Sequence, residues 1–334
     1  MKKRAVLSNV RWIPIVTILA LLLSACGQSA AQTKAQPIKV GIVLSDIGLG
    51  DQSYSDAAFR GLVKARDEGK IVFEYREIME TKTYDAAFEQ LAQEKADLIV
   101  GLGYMVKDSL ESIAKKYPDR KFLIVDEKSN LPNVASITFK EEEGSFMAGV
   151  IAGLTSRTEQ VGFLGGVESP LLKKFEIGYS AGVHSVKPDA KVTATYAGDF
   201  GKPELGTQIA DDMINNDQID VIYAAAGLTG VGALQEAQKQ QKFAIGVDSD
   251  QFFIAEKAVV TSMFKNVDIA IYTAVKGFAD HQRKFTEKDM VFGLAEDGVG
   301  LAPIRVVTLS PDQQKLMDDL KEKIKSGTLT VPTQ

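Results

Sequence analysis

Short apolar runs alternate with amphipathic stretches along most of the chain from Ile38 onward. The apolar runs are rich in Val, Ile and aromatic residues, which favours buried strands. The predicted strands are Ile38–Leu44, Ile71–Tyr75, Leu98–Leu102, Lys121–Val125, Val134–Thr138, Gln160–Leu164, Lys191–Tyr196, Val221–Ala225 and Phe243–Val247. The amphipathic stretches repeat apolar residues every three to four positions and predict helices. The predicted helices are Tyr54–Asp67, Thr83–Gln93, Val106–Lys116, Gly144–Leu154, Leu171–Val186, Glu204–Asn215 and Val231–Lys239.

This alternation predicts an α/β fold of two lobes. Strands that alternate with helices are typical of parallel sheets joined by right-handed crossovers. There are too many units for one compact sheet, and we expect the break near Thr138–Gly144. The acidic run Glu141–Glu143 lies at this break, directly before a Gly- and Ala-rich stretch. Carboxylates are favourable in the first turn of a helix, so we interpret the run as a helix start rather than a metal site.

The N-terminus has the pattern of an export signal. MKKRAVLSNVR is basic, and the apolar run Trp12–Leu23 that follows is too short to span a membrane as a mature helix. The small residues Ser24 and Ala25 precede Cys26, an order that resembles the bacterial lipobox. We therefore predict a signal peptide at 1–25, lipidation of Cys26, and a flexible tether at 26–37 that holds the protein on the outer face of the cell membrane. An ordinary signal peptide that happens to contain a Cys is the alternative.

Composition excludes several classes of site. Cys26 is the only cysteine and His184 and His281 are the only histidines, so a disulfide framework, a zinc site and a Ser-His-Asp triad are poorly supported. The net charge is −5 and becomes −9 once the four basic residues of segment 1–25 are removed. An acidic surface does not favour nucleic acid, which is bound largely through Lys and Arg. We expect no nucleic-acid partner, no metal and no cofactor.

Polar, aromatic and Gly residues follow many of the predicted strands. In open parallel sheets, ligands bind beyond the carboxyl ends of the strands. The residues at those ends include Asp46, Gly103-Tyr104, Asp126-Glu127, Gly165-Gly166, Gly198-Asp199-Phe200, Gly227–Gly230 and Asp248–Asp250. Two lobes that each present such residues predict a clamshell with the ligand between them.

The loop after the first strand is not a phosphate loop. SDIGLGDQSYSDAAFRGL has Gly48 and Gly50, but Ser53 stands where a third glycine would complete the dinucleotide motif. Its three Asp residues would repel an anion, and no Lys or Arg precedes Arg60 within the stretch. The loop suits a neutral, flat ligand that carries hydroxyl groups.

Several blocks of the chain resemble one family. VGIVLSDIGLGDQSYSDAAFRGL, IVGLGY, NVASITFKEEEGSFMAGVIAGL, VGFLGGVESPLLKKFEIGYSAGV, DVIYAAAGLTG, IGVDSDQ, VTSMFKNVD and DGVGLAP are similar to the basic membrane protein family of lipoproteins, which includes the PnrA-like purine-nucleoside-binding proteins. The resemblance implies the type I periplasmic-binding-protein fold, with one lobe at 38–140 plus about 265–296 and the other at 141–264 plus about 297–334. It also implies a monomeric, non-enzymatic receptor that passes a nucleoside to an ABC permease and its ATPase.

The resemblance also implies roles for individual residues. Tyr54 would stack on one face of the base, and the second ring would be Phe200 or Phe175. Asp248 would accept ribose hydroxyls with help from Lys265, and either Asp126 or Asp108 would meet the base edge. The remaining implied positions are Asp46 and Asp51 as polar contacts in the first loop, and Gly227 and Gly230 for close approach of the backbone.

Three departures from the family pattern affect the choice of ligand. Tyr54 stands where the family has Phe, Ser55 replaces the following Asn, and Gly50-Asp51 replaces an acidic or amide pair. A regulatory or sensor lipoprotein of the same fold and a sugar receptor remain open as alternatives. A nucleoside hydrolase is disfavoured, because the Asp residues of the first loop lack the tight spacing of a calcium cluster.

Overall fold

A computed structural model describes residues 37–334, which form one compact unit. The predicted signal peptide, the lipidation site Cys26 and nearly all of the tether lie outside the described residues. The strands are β1 Ile38–Val43, β2 Ile71–Arg76, β3 Leu98–Leu102, β4 Lys121–Val125, β5 Val134–Phe139, β6 Gln160–Gly165, β7 Lys191–Tyr196, β8 Val221–Ala225, β9 Phe243–Asp248, β10 Val259–Lys265, β11 Asp289–Phe292 and β12 Val299–Leu301. The α-helices are α1 Tyr54–Asp67, α2 Ile78–Thr81, α3 Tyr84–Gln93, α4 Lys107–Lys116, α5 Glu141–Thr155, α6 Pro170–Val186, α7 Pro203–Asn216, α8 Gly227–Lys239, α9 Val267–Asp280 and α10 Pro311–Lys325.

The strands form two six-stranded sheets with the same winding. The first has the order β11-β5-β4-β3-β1-β2 and is parallel throughout. The second has the order β12-β10-β9-β8-β6-β7, in which β12 alone runs antiparallel to its neighbour. In both sheets the order reverses beside the first strand of the lobe, which is where doubly wound sheets bind ligands. The sheets confirm the predicted α/β fold with two parallel lobes.

The chain passes between the two sheets three times. The passages lie between β5 and β6, between β10 and β11, and between β11 and β12. As a result β11, which comes late in the chain, pairs with β5 of the first sheet. We propose that the lobes follow the sheets, with the boundaries given above.

All nine predicted strands are present, and the predicted helix bounds agree to within one residue except at the starts of α5 and α8. The start of α8 is wrong by four residues, since the helix begins at Gly227 rather than Val231. Its first turn holds three small residues and no apolar stripe, so periodicity did not include it. The prediction that Glu141–Glu143 opens a helix is confirmed by α5. The prediction omitted α2, β10, α9, β11, β12 and α10.

Helices α5 and α6 pack with their backbones in near contact. A Cβ added to Gly149 of α5 would collide with the carbonyl of Tyr179, and one added to Gly182 of α6 would collide with that of Phe146. Nearly every residue of α5 is buried. The helix that follows the first passage is therefore fixed firmly to the second lobe. Within residues 37–334, no helix is both long enough and apolar enough to cross a membrane.

Candidate functional site: a cleft between the two sheets

A cavity lies where the carboxyl ends of the two sheets face each other. It is lined by Ser45, Asp46, Ile47, Asp51, Tyr54, Tyr84, Leu102, Gly103, Tyr104, Met105, Asp126, Leu171, Leu172, Phe175, Phe200, Ala225, Ala226, Gly227, Val247, Asp248 and Lys265. Most of these residues follow β1, β3, β4, β8 or β9 or begin a helix. The cavity therefore occupies the position expected for the ligand of a doubly wound fold.

Carboxylates organise the loop between β1 and α1. Asp51, 3% exposed, accepts the backbone N–H groups of Ser53 at 3.0 Å and Ser55 at 2.6 Å. Asp56 accepts from Gly50 and Gln52 in the same way. The bond from Ser55 satisfies a donor that the first turn of α1 leaves free, and the others hold the preceding loop in place. Asp51 lines the cavity, but both of its carboxylate oxygens already accept hydrogen bonds from the loop.

Asp46 accepts fewer backbone hydrogen bonds from the loop than Asp51 does. It is half-buried at the cavity wall. Burial raises its pKa, and the carboxylate of Asp199 in the other lobe adds to the increase. A carboxyl group in this setting is suited to a hydrogen bond with a ligand donor.

Aromatic rings enter the cavity from both lobes. Tyr54 begins α1, and its ring lies beside Gly103. Phe200 packs so closely against Gly166 that any side chain at position 166 would overlap its ring. Phe175, 4% exposed, also lines the cavity. Both candidates for the second stacking ring are thus at the site.

A buried charged cluster forms the floor of the cavity. Lys265, 2% exposed, donates to Asp126 Oδ2 at 2.8 Å, and the Tyr54 hydroxyl donates to the same oxygen at 2.5 Å. The Lys265 ammonium also lies 5.2 Å from the ring centre of Tyr54 and 5.7 Å from that of Phe175. Burial lowers the pKa of Lys265, but Asp126, with the other acids nearby, outweighs that effect and raises it. Lys265 is therefore a fixed positive charge at the cavity floor.

Asp248 joins the two lobes across the cleft. It ends β9, and its Oδ2 accepts a hydrogen bond from Ser53 Oγ at 2.5 Å. Burial raises the pKa of Asp248 to about 6, and the nearby Lys265 opposes that rise. Close by, Ser249 donates to the backbone carbonyl of Gln52 at 2.9 Å. The lobes are in contact on this side of the cavity.

Glu141 lies behind Lys265 and was not predicted as part of the site. It is fully buried, 3.2 Å from the Lys265 ammonium and 3.7 Å from that of Lys174. Burial raises its pKa to about 7, against the attraction of Lys265. The sequence predicted that Glu141 begins a helix, and the structure confirms this. No sequence pattern predicted that its side chain would contact Lys265.

The structure brings most of the predicted site residues together. Asp46, Asp51, Tyr54, Asp126, Phe175, Phe200, Gly227, Asp248 and Lys265 all line the cavity. Asp108 does not, because it is exposed on α4. Asp126 is thus the better placed of the two acids considered for the base edge. Tyr104, which was expected at a strand end but was given no role, lines the cavity too, and so does Tyr84, which was not predicted.

The side chains of the cavity are suited to holding a ligand. Among residues 37–334, no group of three or more His, Cys, Asp or Glu is arranged to hold a metal ion. The side chains offer flat rings, a buried cation and several hydrogen-bond acceptors. A ligand with aromatic faces and polar edges would match these features.

Several known proteins are similar to this chain in sequence. The family described as ABC transporter substrate-binding protein PnrA-like matches residues 38–334. Among curated proteins, the CD4+ T-cell-stimulating antigen of Listeria monocytogenes is 34% identical over 96% of this chain and 97% of its own length. The ABC transporter nucleoside-binding protein BmpA of Lactococcus lactis is 29% identical over the full length of both. Basic membrane protein A of Borreliella burgdorferi is 33% identical over 88% of each.

Solved structures agree. The chain is similar to an ABC transporter solute-binding protein from Aeropyrum pernix, with a TM-score of 0.80, 27% identity, and coverage of 89% of this chain and 94% of the other. A second solute-binding protein, from Conexibacter woesei, matches at 23% identity with a TM-score of 0.71 over 89% and 99% of the two chains. These likenesses confirm the type I periplasmic-binding-protein fold.

Proposed function

Since the chain belongs to the PnrA-like family of ABC transporter substrate-binding proteins, we propose that it is a lipid-anchored receptor that binds a purine nucleoside outside the cell and delivers it to an ABC permease. The ligand is bound and released without chemical change. The permease and its ATPase supply the transport.

The observation that carries this proposal is the pairing of rings and carboxylates in one cavity. Tyr54 comes from the first lobe and Phe200 from the second, which supports a base held between rings of opposite lobes. Stacking of this kind is worth about 1–3 kcal/mol per base. Asp248 and Asp126 supply acceptors for hydroxyl and N–H groups of the ligand, and Lys265 supplies a donor for its oxygen or nitrogen acceptors. A nucleoside has both features, whereas a free sugar lacks the flat base.

Binding should depend on both lobes. We expect Tyr54→Ala and Asp248→Ala each to weaken nucleoside binding at least tenfold, or about 1.4 kcal/mol. The measurement is calorimetry on residues 37–334 with guanosine, inosine, adenosine, ribose and free base. Asp108→Ala is the matched control, because Asp108 is an exposed acid outside the cavity. Circular dichroism would check that all variants fold.

The outcomes separate the competing functions. Unchanged affinity in both cavity variants would refute the assignment of the site. Binding of ribose but of no nucleoside would favour a sugar receptor. Absence of heat and of thermal shift with every ligand would favour the regulatory role.

The lipid anchor is a separate part of the proposal. It rests on Cys26 and the apolar run before it. Mass spectrometry of the protein from membranes is expected to find Cys26 as the first residue with a diacylglyceryl group. A free thiol at Cys26 would contradict it.

A further inference from the structure

The two carboxylate oxygens of Asp126 have different surroundings. Oδ2 receives two hydrogen bonds, from the Tyr54 hydroxyl at 2.5 Å and from Lys265 Nζ at 2.8 Å. Oδ1 is buried and has no hydrogen-bond partner within residues 37–334. Asp126 itself is 8% exposed and lines the cavity. A buried acceptor without a partner is costly, so Oδ1 is the oxygen that gains most from a ligand.

The Tyr54 hydroxyl limits how Asp126 can meet a ligand. A carboxylate with two open oxygens can pair with two adjacent donors at once, as it does with the fork of an arginine. A nucleoside offers such pairs on the edge of guanine and in the two ribose hydroxyls. With two hydrogen bonds already on Oδ2, from Tyr54 and Lys265, Oδ1 is the oxygen left without a partner for a ligand donor.

We propose that Tyr54 is a specificity-determining residue, whose hydroxyl makes Asp126 accept a single N–H or O–H donor from the nucleoside through Oδ1. This inference rests on the proposed function and deepens it. The ring of Tyr54 stacks, and its hydroxyl selects. Ligands that offer two adjacent donors to Asp126 gain nothing from the second one.

Tyr54→Phe isolates the hydroxyl. The ring keeps its other neighbours, because neither of them depends on the hydroxyl. Gly103 lies beside the ring, and the Lys265 ammonium lies 5.2 Å from the ring centre. Removing the hydroxyl leaves Oδ2 with one bond, from Lys265, and opens it to a second ligand donor. The variant therefore changes discrimination between ligands rather than stacking.

The experiment measures affinity for four ligands by calorimetry on residues 37–334. Guanosine is compared with inosine, which lacks the exocyclic amine, and with 2′-deoxyguanosine and 3′-deoxyguanosine, which each lack one hydroxyl. Tyr272→Phe is the matched control, because Tyr272 also donates to a carboxylate, that of Glu68, at 2.9 Å on the protein surface. It should leave all three affinity ratios unchanged.

In Tyr54→Phe, we expect the preference for guanosine over one of the three analogues to rise at least fivefold. A rise against inosine places the base edge on Asp126, and a rise against a deoxynucleoside places the ribose there. Ratios that all stay within twofold of wild type would overturn the inference, as would an equal loss of affinity for every ligand. If the wild-type protein binds none of the four and does not bind adenosine either, the proposed function fails and the inference fails with it. Binding of adenosine alone would overturn the inference and leave the proposed function standing.

Discussion

Two carboxylates of the cleft lie in left-handed backbone. Asp126 has φ of 70° and Asp248 has φ of 63°, and each comes at the end of a strand that points into the cavity. This conformation is uncommon for residues other than Gly, and Asp and Asn tolerate it best. Strained backbone of this kind is found at binding sites when the surrounding structure holds it in place. Asn is therefore a better replacement than Ala where only the charge is to be removed.

Glu141 should make the stability of the protein depend on pH. Burial raises its pKa in the folded protein to about 7, from 4.5. Because the folded protein holds this proton more tightly than the unfolded chain, Glu141 contributes stability that is fully present below pH 4.5 and is lost as the pH rises through about 7. Glu141→Gln removes this titration. We expect the free energy of unfolding of the variant, relative to wild type, to rise by about 2 kcal/mol between pH 5 and pH 8.

Urea unfolding at the two pH values measures this change. Asp248 has a raised pKa too, but it is present in both proteins and cancels in the comparison. Glu256→Gln, at an exposed position, is the control and should show no such trend. If the free energies of unfolding of Glu141→Gln and wild type change equally between the two pH values, Lys265 and Lys174 keep Glu141 ionised.

The elements of the fold could be predicted from local patterns, and their partners could not. Runs rich in Val, Ile and aromatic residues marked β1 to β9. Most of these strands are buried on both faces, whereas the edge strands β2 and β7 are largely part-exposed and were marked by their β-branched and aromatic residues. No local pattern marks β11, which is short, half exposed and paired with β5 over 150 residues earlier in the chain. The same limit applies to the site. Asp126, Asp248 and Lys265 were predicted from strand ends and family motifs, whereas tertiary packing alone brings Tyr84 to the cavity wall and Glu141 to its place behind Lys265.

The contact between α5 and α6 depends on glycine. A Cβ at Gly182 would collide with the carbonyl of Phe146, and backbone at such a crossing cannot yield easily. We expect Gly182→Ala to lower the free energy of unfolding by about 1–3 kcal/mol, the usual cost of overpacking.

Gly277 in α9 is the matched control for thermal or urea unfolding. It is also a helical glycine, and a Cβ there would meet nothing within 4 Å. Gly277→Ala should stabilise the protein by up to about 1 kcal/mol, because Ala is the better helix former. If both substitutions shift stability in the same direction, close helix packing is not what position 182 requires.

At the scale of the whole molecule, the two lobes touch at two places beside the cavity. Ser53 donates to Asp248, and Ser249 donates to the carbonyl of Gln52, both across the cleft. At the second place, Gly201 lies so close to Ile47 that a Cβ at position 201 would be 2.6 Å from its Cδ1. The three chain passages join the lobes at one edge, which is the arrangement of proteins that close by hinge motion. We infer that these contacts contribute to the free energy of closure.

Ser249 offers a test of closure that leaves the cavity intact. It does not line the cavity, yet its hydroxyl donates to the carbonyl of Gln52 in the opposite lobe. A net hydrogen bond of about 0.5–1.5 kcal/mol corresponds to a shift of roughly two- to tenfold in the closed population. When closure limits binding, affinity falls with the fraction of closed protein. We therefore expect Ser249→Ala to weaken nucleoside binding two- to tenfold, with faster dissociation in stopped-flow measurements and a larger radius of gyration of the ligand-free protein in X-ray scattering.

Ser185→Ala is the control, because that hydroxyl donates to the carbonyl of Gly182 within α6 and not across the cleft. Weaker binding with an unchanged radius of gyration and dissociation rate would instead point to a local change at Asp248, and would rule out the Ser249 contact as part of closure.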